Sequence, residues 1–142
     1  MSSVMPPENT PFGERVARRL KEEPIIWMTT VGADGTPQPN PVWFLWDGES
    51  FLIYSLPDAA RMANVKRNPN VSLNLDGNGK GGDIIVVAGE VRVSTEDPPA
   101  DKQPTYVEKY KEFIERSFKT PENFASKYNV ALRVTPRKVR GF

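Results

Sequence analysis

Between residues 25 and 55 the chain changes texture within a few residues, three times over, and this stretch restricts the possible folds more than any other. Ile25-Ile26-Trp27-Met28-Thr29-Thr30-Val31 is a run of branched and aromatic residues that stops at Gly32-Ala33-Asp34-Gly35. Pro41-Val42-Trp43-Phe44-Leu45-Trp46 follows, then Asp47-Gly48, then Ser50-Phe51-Leu52-Ile53-Tyr54-Ser55. Such runs are too short for typical helices, suit a pleated surface, and are separated by residues that accept tight reversals. They predict three strands in an antiparallel meander, with 41–46 paired to 50–55.

The flanking segments extend this pattern. Residues 1–9, rich in proline and serine, read as a loose tail, and 10–142 as one domain. Thr10-Pro11 is a helix start, with Phe12, Val16 and Leu20 forming one apolar stripe until Glu23-Pro24 ends it. Asp58 caps an expected short helix that runs to about Arg67 and stops at Asn68-Pro69. Val71–Leu75 and Asp83–Val93 read as strands, and Gly89 inside the second marks a bulge or a close backbone approach. Tyr106, Tyr110 and Phe113 lie on a second amphipathic helix, and Thr120-Pro121 starts another that carries Phe124 and Tyr128. A last strand, Val130–Val134, precedes Pro136 and a basic end. The sum is mainly β (α+β): six antiparallel strands in a closed or nearly closed barrel with peripheral helices. Along 41–46 both faces are apolar, since Val42, Phe44 and Trp46 share one and Trp43 and Leu45 the other. A partner subunit, a packed helix or a flat aromatic ligand must cover the outer one.

The residues that are missing restrict the chemistry. The chain has no histidine and no cysteine, which removes disulfides, thiolate nucleophiles, cysteine–zinc and iron–sulfur sites, and the histidine-based triads. No metal is expected. A formal charge of +1 offers no global field for nucleic acid or an anionic membrane, no stretch reaches the length of a membrane span, and the first residues carry no signal-peptide pattern. The absence of cysteine fits a reducing cytoplasm. Gly77-Asn78-Gly79-Lys80-Gly81-Gly82 spells G-x-G-x-x-G, but a strand rather than a helix follows it, so it reads as a hairpin loop. Ser55 to Arg67 is more informative. Arg61 falls in the first turn of its helix, where the macrodipole disfavours a cation, and an anion docked on Ser55, Arg61 and the amides of Ala59 and Ala60 would resolve the conflict. A solvated charged helix is the other reading. Trp27, Trp43, Trp46 and Tyr54 can be core or the walls of a site for a flat heterocycle.

Taken together, Trp27–Val31, Asp34-Gly35-Thr36-Pro37-Gln38, Pro41-Val42-Trp43-Phe44, Tyr54-Ser55 leading into Arg61 and Asn64, Lys66-Arg67-Asn68-Pro69, and Val134–Phe142 resemble the pyridoxamine-phosphate-oxidase-like split β-barrel superfamily. Within it the chain is similar to the small deazaflavin (coenzyme F-420)-dependent oxidoreductases, from about Phe12 to Phe142. The resemblance implies a homodimer with cofactors at the subunit interface. It places Ser55, Ala60, Arg61 and Asn64 at the cofactor phosphate with Lys66 in support, the ring system along Asn40, Pro41, Val42 and Trp43, and Gly82 and Asp83 nearby from the fifth strand. Relatives often carry two cationic side chains just before this helix; here Ala59 and Ala60 leave Arg61 with more of the charge. Arg137, Lys138 and Arg140 could meet the acidic tail of the deazaflavin, which FMN lacks. The implied activity is hydride transfer from reduced coenzyme F-420 to a small organic acceptor. The alternatives are an FMN-dependent oxidoreductase on the same barrel, or a non-catalytic binder of a flavin, deazaflavin or haem-like molecule.

Overall fold

Alternate residues of 37–41 are proline, and in the computed structural model, which describes residues 4–142, they already form a strand. The elements in order are α1 (Pro11–Glu22), β1 (Ile26–Val31), β2 (Pro37–Val42), β3 (Leu45–Trp46), β4 (Phe51–Ser55), α2 (Ala60–Arg67), β5 (Asn70–Asn74), β6 (Ile85–Val93), a 3-10 turn at Ala100–Lys102, α3 (Pro104–Phe118), α4 (Pro121–Lys127) and β7 (Val130–Gly141). Every strand pairing is antiparallel, in the order β2-β1-β5-β6-β7-β4-β3. Thr10 caps α1 by accepting from the Gly13 amide. Gly32 N–H to Thr36 O closes the β1–β2 reversal.

The strands number seven rather than six, and the first three do not form a simple meander. The run 41–46 is divided because the backbone of Phe44 is taken by a side chain instead of a neighbouring strand. The Tyr110 hydroxyl accepts from Phe44 N–H at 2.8 Å and reaches Phe44 O at 2.9 Å, and Lys109 Nζ donates to the same carbonyl at 2.8 Å. Val42 ends the pairing with β1, and Leu45 opens the pairing with Leu52. β2 and β3 therefore lie at opposite edges of the sheet although only two residues separate them. Three trans peptide steps span at most about 11 Å, so the two edges must approach each other there. The sheet is curled into a half-barrel with its helices at the periphery.

β7 also departs from expectation, continuing through Pro136 to Gly141. The register jumps from Ala88↔Lys138 to Gly89↔Pro136, which leaves Arg137 as the unpaired residue of a bulge. A bulge is where a strand tolerates proline. A Cβ on Gly89 would sit 2.7 Å from Val134 Cγ1 and 2.9 Å from Thr135 O, so the close approach expected at this glycine is present. β6 starts at Ile85 rather than Asp83, whose backbone turns to a φ of 55° while its carboxylate pairs with Arg15 and Arg19 of α1. The Gly77–Gly82 segment is a loop, as expected, pinned by Asn78 Oδ1 accepting from the Lys80 and Gly82 amides.

Two apolar layers result. Inside the curl lie Val16, Leu20, Met28, Phe44, Phe51, Leu73, Ile85 and Leu132, with Met5 packed on their edge. Outside β4, Leu52 and Tyr54 meet Tyr106, Tyr110, Ile114 and Phe124 of α3 and α4. Trp43 is stacked between Tyr110 (4.6 Å between centroids, 4° between planes) and Phe124 (5.1 Å, 16°). On the outer face of 41–46, α3 and α4 pack over Trp43 and Leu45. Of the expected tail 1–9, residues 1–3 lie outside the described residues. No helix among the described residues is long and apolar enough to cross a membrane.

Candidate functional site

At the end of β4 the chain makes a turn closed by Ala59 N–H to Leu56 O, and α2 begins one residue later than expected. The N-cap is Ala59, which has no capping side chain, and not Asp58. Asp58 lies inside the turn, one position too early to reach the helix amides. The first turn of α2 thus has no acidic residue to offset its dipole, and it carries Arg61 at the second helical position.

Arg61 is held side-on. Its Nη1 donates to Ser55 Oγ at 3.0 Å, and that hydroxyl passes its own proton to Leu56 O. Nε is buried without a hydrogen-bond partner. Burial pulls the guanidinium below its ordinary range, with Tyr128 opposing. A buried charged donor left unpaired is costly, and such a group in a native fold calls for a ligand, an ion or a water.

Arg61 lines a cavity of about 300 Å³, which also takes in Pro41, Val42, Trp43, Tyr54, Tyr106 and Tyr128. The Tyr106 hydroxyl is a second buried donor without a partner. Burial pushes its phenol far above the usual tyrosine range, so it remains a neutral O–H. Tyr54 is pushed up to about 12, by burial and then by Asp97, and donates to Pro98 O. The arrangement can hold an oxyanion at the start of α2 and a flat apolar body among aromatic rings, with two fixed donors in the wall.

The structure brings together only part of the expected set. Pro41, Val42, Trp43 and Arg61 line one cavity, and Ser55 is bonded to Arg61. Ala60 is exposed at the first position of α2, and Asn40 is exposed on β2. Asn64 is not free for a phosphate. It is 4% exposed; its Nδ2 donates to Thr30 Oγ1 and Gln38 Oε1, and its Oδ1 accepts from Arg67, so it fastens α2 to the β1–β2 hairpin. Asn64→Ala should therefore lower the unfolding free energy by about 1–3 kcal/mol in urea titrations; unchanged stability would mean that the side chain is not bonded as seen. Lys66 is exposed on the far turn of α2. Gly82 and Asp83 lie beside α1, with Asp83 already paired to two arginines. Arg137 pairs with Glu90 at 2.8 Å. Arg140 lies on the outer sheet face in the row Pro41–Trp27–Asn74–Val86–Arg140, four strand spacings or about 19 Å along the sheet from Pro41.

The sequence reading did not assign Tyr106 and Tyr128 to the site. Their spacing marks helical core, and only the docking of α3 and α4 over Trp43 shows that the same stripe also walls a cavity.

A family model described as pyridoxamine 5'-phosphate oxidase matches residues 12–142. No curated protein sequence matches. Among solved structures, an F420 reductase is 27% identical at a TM-score of 0.65, covering 87% of this chain and 94% of that one. A FAD-binding protein from Mesorhizobium loti is 16% identical at 0.64, covering 89% and 88%. The heme storage protein HutZ from Vibrio cholerae is 14% identical at 0.64, covering 93% and 95%. At those two lower identities the likeness concerns the fold alone.

Proposed function

The chain belongs to the pyridoxamine 5'-phosphate oxidase family, and from that premise we propose that it is an oxidoreductase dependent on a deazaflavin, coenzyme F-420, acting on a small organic acceptor. The observation that carries the reading is Arg61, which lines an aromatic cavity at an uncapped helix start, bonds to Ser55 and keeps a buried Nε without a partner. The likeness to an F420 reductase supports the choice of cofactor.

In this reading Arg61, Ser55 and the leading amides of α2 hold the cofactor phosphate. Pro41, Val42 and Trp43 seat the ring system and keep water from it. When bound, the reduced deazaflavin supplies the hydride. The Tyr106 hydroxyl, neutral at any working pH, donates a hydrogen bond to an acceptor oxygen and orients it. No histidine exists to shuttle a proton, so positioning carries the protein's share of the work. In one chain Arg140 lies four strand spacings along the sheet from Pro41, away from the proposed ring seat. The reading therefore includes a homodimer, with a second copy against the outer face where Trp27 and Val86 are half-buried and Ala88 is exposed.

One observation favours FMN instead: a single phosphate cradle adjoins the cavity, while the C-terminal cations lie across the sheet. Titrating the purified protein with coenzyme F-420 and with FMN, following tryptophan fluorescence and molecular mass, separates the two. The expected result is a dimer that binds F-420 more tightly. Arg140→Ala should weaken F-420 and leave FMN unchanged; equal losses would defeat the assignment of Arg140 to the deazaflavin tail, and a monomer indifferent to both would end the proposal. Turnover of the reduced cofactor with a panel of acceptors tests catalysis, and complete inertness would leave a cofactor-binding protein.

A further inference from the structure

Building on the cofactor reading above, we propose that Gln38 is a positioning residue: through Asn64 it sets the spacing between the phosphate cradle at the start of α2 and the ring seat on β2. A molecule gripped at both ends needs those two parts held at a fixed distance, and no strand ladder does this. β2, which carries Pro41 and Val42, pairs with β1 alone among the described residues. β4, which leads from Ser55 towards Arg61, pairs with β3 and β7.

α2 bridges the gap. Its start is tied back to β4 by the bond from Arg61 to Ser55. One turn later, on the same side of the helix, Asn64 Nδ2 donates to Gln38 Oε1 at 2.8 Å and to Thr30 Oγ1 at 2.9 Å. Among the described residues, these two bonds are the hydrogen bonds that join α2 to the β1–β2 hairpin. Thr30 and Gln38 stand opposite each other in the β1–β2 ladder, so one amide group clasps both strands. Arg67 Nη2 donates to Asn64 Oδ1 at 3.1 Å, which turns the amide with its two N–H groups towards the hairpin.

The two acceptors differ in what they hold. Thr30 is 1% exposed and fixes the helix to β1. Gln38 is half-buried on the strand of the ring seat itself, three residues before Pro41, or about 10 Å along it. Its side chain is confined, since a Cβ on Gly32 would come within 2.8 Å of its Nε2. Without the Gln38 acceptor, α2 keeps its Thr30 bond while no hydrogen bond ties it to β2. A binding geometry has to be held to within about 0.5 Å, and supporting hydrogen bonds of this kind are what hold it.

The test is a double-mutant cycle of Gln38→Met and Arg61→Ala in the full chain, titrated calorimetrically with whichever of coenzyme F-420 and FMN the wild type binds. Gln38→Met should weaken the cofactor about tenfold when Arg61 is present and less than about twofold when it is already alanine, because spacing matters only while there is a guanidinium to present. The same ring compound lacking its phosphate should bind Gln38→Met and wild type within about twofold of each other. Thr30→Val, which removes the other acceptor at nearly constant volume, should show the same dependence on Arg61. Equal losses from Gln38→Met in the two backgrounds would overturn the proposal, as would unchanged affinity or equal losses with and without the phosphate. A wild type that binds neither cofactor would overturn the cofactor reading and the role of Gln38 together.

Discussion

Arg61→Ala is expected to weaken binding of coenzyme F-420, or of FMN, about a hundredfold, read by calorimetric titration. A charge-assisted hydrogen bond to a phosphate in a partly desolvated setting is worth about 2–3 kcal/mol, and each 1.4 kcal/mol is a factor of about ten. Arg61 is the one cation in the cavity wall, and Ala59 and Ala60 supply no second charge to share the load. Arg61→Lys should fall between, since an ammonium keeps the charge but loses the planar Nε fork. Stability should move the other way or not at all. The side chain lies in the first helical turn with a buried, unpaired Nε, so its removal relieves a cost of folding even as the Ser55 bond is lost. Affinity that stays within about threefold would separate Arg61 from the cofactor and remove the basis of the functional reading.

Arg133→Met should cost about 2–4 kcal/mol of unfolding free energy, between the cost of losing an exposed ion pair and that of breaking a buried one, because the network is half-buried. Arg133 is 16% exposed, and its guanidinium joins three parts of the fold. It meets both oxygens of Asp97 at 2.6 and 2.9 Å, Asp47 at 2.7 Å and Ser50 Oγ at 3.1 Å. It thereby ties β7 to the β3–β4 turn and to the segment after β6. The hydrogen bond from Arg133 is the main reason Asp97 titrates below the usual carboxylate range. Burial pushes Asp47 up, but the Ser50 and Glu49 amides together with Arg133 outweigh it, and its pKa is lowered as well. Carboxylates depressed in the folded state contribute stability that is present above their unfolded pKa, near 3.9, and is lost as pH falls through the folded value. Wild-type stability, measured by urea denaturation from pH 7 to pH 3, should fall steeply below about pH 4. In Arg133→Met the curve should start lower and flatten at the acid end. Parallel curves for the two proteins would show that Arg133 does not set the acid sensitivity.

Local patterns on the chain announced most of the secondary structure. Thr10-Pro11 started α1, Gly32–Gly35 closed the first hairpin, and Gly89 marked the bulge, because each rests on backbone geometry that a few neighbouring residues decide. What stayed hidden depended on distant partners. Nothing between residues 41 and 46 says that Phe44 will hydrogen-bond to a tyrosine 66 positions later, so the division of that run into β2 and β3 was not visible. The second strand was expected from Pro41, whereas β2 begins at Pro37, where alternating prolines are tolerated because β2 is a sheet edge. The site divided along the same line. Ser55 and Arg61, which the structure does bring together, were singled out through the conflict between a cation and a helix dipole, a local argument. Asn64, which the resemblance placed at the phosphate, is bonded instead to Thr30 and Gln38, partners that no local pattern announces. The aromatic wall from α3 and α4 could not be told from core by spacing alone.

The proline alternation in β2 has a consequence for how copies of this protein can associate. Pro37, Pro39 and Pro41 stand opposite Val31, Thr29 and Trp27, so the inward ladder positions fall to Gln38, Asn40 and Val42. The rim left over presents carbonyls and not a single N–H across those six residues. A strand from another molecule laid along it would find no donors, so fibril-like growth by lengthening the sheet is blocked at this end. Any contact made along this edge must instead go through side chains, where shape and charge can choose the partner.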